Sequence, residues 1–205
     1  MAEPFLLKNP LSDSKANLRN QIKEKLSSLS LTQKVEFSQK ANANLLEFLT
    51  SRRLQNIFIS YSLSDEIDTQ GFISENIKKL NFFLPKINTV TNLIGAHPVK
   101  DVTKELAIGT FNISEPITAE ELNFSEKIDC IVVPARAIDI EGNRLGRGKG
   151  YYDKFLANAN IHNKIVVCML YHCQLVAEVR TETHDIPIEY CITEKGVFHL
   201  RRKSK

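Results

Sequence analysis

Residues 128–156 read IDCIVVPARAIDIEGNRLGRGKGYYDKFL, and the order of features in this stretch decides the fold class. Ile128 to Pro134 is a short apolar run rich in β-branched residues, the pattern of a strand covered on both faces. The closing YYDKFL reads as a helix. Between the two lies a loop holding Gly142, Gly146, Gly148 and Gly150, half of the eight glycines in the chain. A strand that passes through a loop into a helix is the first half of a β–α–β unit, and such units build a parallel sheet with helices on both faces.

The same alternation continues on either side. Leu18, Ile22 and Leu26 recur every four residues between Ser14 and Ser28, as one face of an amphipathic helix requires, and Lys15, Arg19 and Lys23 form a parallel basic stripe. Ser30 with Gln33 makes a capping box, so a second helix is expected to run to about Leu49 and form a helical hairpin with the first. The apolar run from Asn56 to Tyr61 predicts a strand, and Asp68 caps a helix carrying Phe72, Ile73, Ile77 and Leu80. Further strands are expected at Phe82 to Pro85, Leu93 to Val99, Lys164 to Leu170 and Tyr190 to Ile192. The expectation is therefore a single three-layer α/β domain over residues 15–196, with a central, mainly parallel sheet flanked by helices and an N-terminal helical hairpin. Residues 1–14 are read as an N-terminal extension and residues 197–205, ending in RRKSK, as a basic tail.

Composition narrows the classes of function. The 205 residues are 42% hydrophobic and 25% charged, which supports one sizeable core. No window approaches the roughly 18 to 20 consecutive apolar residues of a membrane span, and MAEPFLLKNPLSDSK lacks the basic flank and long apolar stretch of a secretion signal, so a cytoplasmic protein without a membrane partner is expected. A net charge of +3, with no recognised nucleic-acid motif, argues against a nucleic-acid partner. Cys130, Cys168, Cys173 and Cys191 form no C-x-x-C pair and are read as reduced thiols in or beside apolar strands; the five histidines show no metal-ligand spacing. A monomer is expected.

The glycine loop carries the chemistry. Glycines let backbone N–H groups approach an anion, and the following helix adds unpaired N–H groups and a favourable dipole. Arg144, Arg147 and Lys149 add positive charge where phosphate oxygens would sit. A plain strand-to-helix connection needs only about 2 to 6 residues and no spaced cations. The G-x-G-x-G spacing lacks the third glycine of a dinucleotide fingerprint, and Gly148-Lys149 lacks the upstream glycine and following Ser or Thr of a Walker loop. On these residues alone, an enzyme acting on a sugar phosphate or an acyl-CoA stays open beside one acting on ATP.

The stretch PARAIDIEGNRLGRGKGYYDKFL resembles the signature of the 5-formyltetrahydrofolate cyclo-ligase family. Other segments agree in order: Lys15-Ala-Asn-Leu18-Arg19 is similar to that family's K-x-x-L-R helix, Glu66-Ile67-Asp68-Thr69 to its E-I-x-T segment, and Leu84-Pro85-Lys86 to its L-P-K strand end. GTFNISEP and THDIPIEYCIT resemble its later motifs, so the resemblance spans Lys15 to Thr193. The chain departs from it at Arg136-Ala137-Ile138-Asp139, where members commonly have Leu-Ala-Phe-Asp, and at Glu189, where many have Asp.

The resemblance implies an ATP- and magnesium-dependent ligase of one-carbon metabolism that closes 5-formyltetrahydrofolate into 5,10-methenyltetrahydrofolate. It assigns ATP to Lys15 and Arg19 on one helical face, and to Arg144, Leu145, Gly146, Arg147, Gly148, Lys149, Gly150, Tyr151 and Tyr152 in and after the loop. Arg147 and Lys149 would also stabilise the transferring phosphate. Tyr61, Glu66, Arg147 and Tyr151 are the expected folate contacts. Asp153 is the expected Mg2+ ligand, with Asp185 as the second candidate.

Overall fold

In the computed structural model, which describes residues 14–118, 127–158, 164–182 and 185–200, the first strand, β1 (Asn56–Ile59), shows how the layers arise. Ile57 and Ile59 join an apolar cluster with Leu18, Ile22, Leu45 and Phe72, while Phe58 on the opposite face joins Phe155 and Leu156. Strand side chains alternate between faces, so a run without polar residues is buried on both sides and has to be covered twice. Helices α1 (Lys15–Ser28), α2 (Leu31–Ser51) and α3 (Thr69–Asn76) cover one face, and α4 (Tyr151–Asn158) covers the other.

The remaining strands of the seven-stranded sheet are β2 (Asn81–Asn88), β3 (Leu93–Val99), β6 (Cys130–Pro134), β9 (Ile165–Met169), β10 (Tyr190–Thr193) and β11 (Gly196–His199). Their order is β11-β10-β9-β6-β1-β2-β3, with β10, β9, β6, β1 and β2 parallel and the edge strands β3 and β11 antiparallel to their neighbours. Two small ribbons stand apart, β4 (Leu106–Ile108) with β5 (Ser114–Pro116) and β7 (Ala137–Ile138) with β8 (Arg144–Leu145). From β1 the chain crosses through α3 to β2 on one side, and from β6 it crosses through α4 to β9 on the other. The connections thus diverge between β1 and β6, and a crevice opens beyond the carboxyl ends of those strands, where sheets of this kind bind ligands.

The helix ends follow the expected chemistry. Ser30 Oγ accepts from Gln33 N at 3.1 Å while Gln33 Oε1 accepts from Ser30 N at 2.9 Å, and Asp68 Oδ1 accepts from Gln70 N and Gly71 N. Helix α3 is shorter than its apolar pattern. The Asn76 carbonyl accepts from both Lys79 N and Leu80 N, which turns the chain, yet Ile77 and Leu80 still pack on the core from that turn. At the other end the basic tail begins later than residue 197. Strand β11 pairs with β10, and Leu200, 3% exposed, donates its N–H to Glu189 O; residues 201–205 lie outside the described residues. No helix among the described residues is long and apolar enough to cross a membrane. Cys130, Cys168 and Cys191 are buried free thiols, and burial pushes Cys168 up to about 12.

One carboxylate sets the path from β6 into the glycine loop. Asp139 is 1% exposed and accepts from Glu141 N, Asn143 N, Asn143 Nδ2 and Val179 N, each at 2.9 Å. Gly142, at φ +83°, completes the turn where a Cβ would come within 2.1 Å of Ile188 O. Asp139→Ala would strand these N–H donors in the interior. It is expected to lower unfolding free energy by about 3 kcal/mol or more, read as a fall in the urea midpoint with an unchanged slope.

Candidate active site

A pocket of about 390 Å3 fills the crevice. Ser60 and Tyr61 at the end of β1 and Pro134 and Ala135 at the end of β6 form its floor. Leu63, Pro85, Ile87, Ile94 and Ile113 give it an apolar lining, and the glycine loop with the start of α4 contributes cations. A pocket with both linings suits a flat heterocycle lying beside a phosphate chain.

The structure brings most of the expected residues together here. Tyr61, Glu66, Tyr151, Tyr152 and Asp153 line the pocket, as do Arg144, Gly146, Arg147, Lys149 and Gly150 of the loop. Leu145 instead turns inward, buried in the main core. Gly148, Lys15, Arg19 and Asp185 stand outside the wall. Arg19 supports the loop from behind, donating from Nε to Gly146 O at 2.9 Å. Gly148 has φ +98°, a left-handed conformation that favours glycine, while a Cβ there would meet the Arg19 guanidinium only at ordinary contact, 3.5 Å. Lys15 and Asp185 meet each other: Lys15 Nζ lies 2.8 Å from Glu182 Oε1 and 3.3 Å from Asp185 Oδ2. Burial draws the Lys15 ammonium down, but those two carboxylates outweigh it and hold it charged.

The loop cations are not loose charges. Arg147 donates from Nε and Nη2 to Glu66 Oε1 at 3.0 and 2.8 Å and from Nη2 to Asp65, whose other oxygen lies 2.6 Å from Arg136 Nη2. Glu66 Oε2 accepts from Leu63 N at 3.0 Å. Burial pushes the Asp65 carboxyl up, but hydrogen bonds and charge from Arg147 and Arg136 outweigh it and hold it below the usual carboxylate range. A depressed folded value means that the link is fully present above the ordinary carboxylate pKa of about 3.9 and is lost as pH falls through the lower folded value. Arg136, the residue that departs from the common Leu, thereby gains a definite role. It joins Asp65 to the end of β6 and restrains the acid that restrains Arg147.

Arg144, one of the cations expected to meet phosphate, lines the pocket from a largely covered position. Its side chain is 4% exposed, pairs with Asp153, donates to Pro134 O at 3.2 Å and lies 5.9 Å from the centre of the Tyr152 ring. Burial pushes the Tyr152 hydroxyl well up. Among the described residues no group of three or more His, Cys, Asp or Glu could hold a metal alone. Mg2+ is ordinarily held by one or two carboxylates with substrate phosphates and water, and Asp153, a hard oxygen donor in the pocket wall beside the loop, fits that mode. Asp185 is a carboxylate on the Lys15 side of the site, where Glu182 N also donates to it.

Residues that sequence reasoning passed over also meet here. Asp65 and Arg136 lie far apart in the chain, and nothing in their spacing joins them. Glu115 lines the pocket at 8% exposure; it lies in GTFNISEP, a segment quoted above for its resemblance but given no role there.

The sequence model of the 5-formyltetrahydrofolate cyclo-ligase family matches residues 11–194. The chain is 27% identical over 181 residues to the 5-formyltetrahydrofolate cyclo-ligase of Haemophilus influenzae, a match covering 86% of this chain and 96% of that one. It is 25% identical over 194 residues to the mouse protein of the same name, covering 90% and 95%. The solution structure of Aquifex aeolicus 5,10-methenyltetrahydrofolate synthetase superposes with a TM-score of 0.80 at 31% identity, covering 93% of this chain and 95% of that chain.

Arg144→Met should expose the cost of the buried pair. It leaves Asp153 without its cation in a partly buried position and is expected to lower unfolding free energy by about 2 to 4 kcal/mol. In a double-mutant cycle with Asp153→Asn, the second substitution should recover part of that loss.

Proposed function

The chain belongs to the 5-formyltetrahydrofolate cyclo-ligase family, and on that premise we propose that it closes 5-formyltetrahydrofolate into 5,10-methenyltetrahydrofolate at the expense of ATP, releasing ADP and phosphate, as a cytoplasmic monomer. The observation that carries this reading is one pocket lined both by Arg147, Lys149 and the glycine loop and by the apolar Leu63, Pro85, Ile87 and Ile94. A folate ring laid on the apolar wall presents its formyl group to phosphates held by the loop.

The formyl oxygen of an amide is a poor leaving group. Transfer of the terminal phosphoryl group of ATP to that oxygen makes it a good one. The neighbouring folate amine then attacks the formyl carbon, loses its proton, and phosphate departs with the C–O bond. The tasks left to the protein are to place oxygen against phosphorus and to neutralise charge during transfer. In this reading Lys149 and Arg147 face the transferring phosphate, while Gly146, Gly148 and Gly150 let the backbone approach the phosphate chain. Arg147 makes its carboxylate bonds through Nε and Nη2, so its remaining N–H groups can turn to phosphate. Lys15 and Arg19 approach the nucleotide from α1, and Tyr61, Glu66 and Tyr151 face the folate. Magnesium, held by Asp153 together with the ATP phosphates and with Asp185 as the second carboxylate, would supply neutralisation of phosphate charge.

Incubation with 5-formyltetrahydrofolate, ATP and magnesium should generate the near-ultraviolet absorbance of the methenyl product; no signal with folate, and binding of a sugar phosphate instead, would overturn the reading. Lys149→Ala should fold normally and lose about 100-fold or more in turnover, the scale of one preorganised charge contact. For Asp153→Asn, activity should collapse at low magnesium and recover partly as magnesium is raised. A carboxylate that served only as the partner of Arg144 would lose stability on substitution and leave the magnesium dependence unaltered, so one titration separates the two roles.

A further inference from the structure

We propose that Glu115 is a further substrate-binding residue, the carboxylate that accepts the adjacent N–H groups on the amino-pyrimidine edge of the folate ring. The proposal deepens the cyclo-ligase reading and rests on it. Glu115 sits at the centre of β5, paired with Ala107 of β4, and this ribbon brings it to the apolar side of the pocket beside Ile87, Ile94 and Ile113. It is 8% exposed, yet among the described residues its one hydrogen bond is a long one, 3.4 Å from Ile87 N to Oε1. An ionised carboxylate can accept about four hydrogen bonds, so most of the capacity of Glu115 stays open. A group held in that condition on a pocket wall is poised for donors that arrive with a ligand.

Two further observations point the same way. Gly109, across the ribbon, leaves the carboxylate its space: a Cβ there would lie 2.3 Å from Glu115 Oε2. Its φ of −110° is one that any residue adopts, so what a side chain there would cost is displacement of the Glu115 carboxylate from this position. Glu66, the other acid facing the folate, has both oxygens engaged, Oε1 by Arg147 and Oε2 by Leu63 N. Glu66 therefore couples the substrate to the catalytic cation, whereas Glu115 is the carboxylate with open acceptor capacity. The amino-pyrimidine edge carries an exocyclic amino group beside a ring N–H, and two parallel N–H donors match the two oxygens of one carboxylate.

The test is equilibrium binding of 5-formyltetrahydrofolate and of its 2-desamino analogue, each without ATP, to the wild-type protein and to Glu115→Gln, with ATP binding measured alongside. Wild type should prefer the amino compound by about 10- to 100-fold, the scale of one lost charge-assisted contact, and Glu115→Gln should lose most of that preference while ATP binding stays unchanged. Equal binding of the two compounds by wild type overturns the assignment and needs no variant to fold. Retention of the full preference by Glu115→Gln overturns it as well. Failure of wild type to bind either compound would instead strike at the cyclo-ligase reading and take this proposal with it.

Discussion

Burial of the central strands on both faces is the constraint from which the rest of this structure follows. Ile57, Ile59, Cys130 and Val132 point into one apolar layer, and Phe58, Ile131 and Val133 point into the other. Such strands require helical cover on each side, and parallel neighbours require crossovers that supply it. Because α3 takes the chain from β1 one way and α4 takes it from β6 the other, neither connection closes the end of the sheet between them. The pocket occupies the space that this divergence leaves.

Electrostatics then determines what the pocket can do. The loop presents its cations within ion pairs, Arg147 with Asp65 and Glu66 and Arg144 with Asp153, and so their positions are set before substrate arrives. Preorganised charges of this kind need little rearrangement when charge develops in a bound ligand, which is where an enzyme gains most from them. Arg136 extends the network by holding the second oxygen of Asp65. Glu115 stands at the opposite extreme: a buried acid among aliphatic side chains, made tolerable by the space at Gly109 and suited to a ligand with N–H groups of its own.

Much of the architecture was legible in the chain itself. Local chemistry controls helix caps, glycine turns and the alternation of strand faces, so Ser30 with Gln33, Asp68, and the sequence from IVVP through the glycines to YYDKFL pointed to elements the structure contains. The loop could be read as phosphate-binding because its cations and glycines are contiguous. Where an element ends was less legible. Asn76 stops α3 through a turn that the apolar pattern of Ile77 and Leu80 hides, and β11 is drawn into the sheet by the free edge of β10. Charge partnerships were not legible at all. Asp65 reaches Arg147 across 82 positions of sequence, Lys15 reaches Glu182 across 167, and only the folded chain brings them within bonding distance. The sequence by itself therefore determined the layers and the order of strand, loop and helix, and it set glycines and cations side by side in the loop, since each depends on neighbours in the chain. Tertiary structure alone decided which cations are paired, which carboxylate lies buried with unmet acceptors, and where the apolar wall stands, because those properties depend on distances that no local pattern encodes.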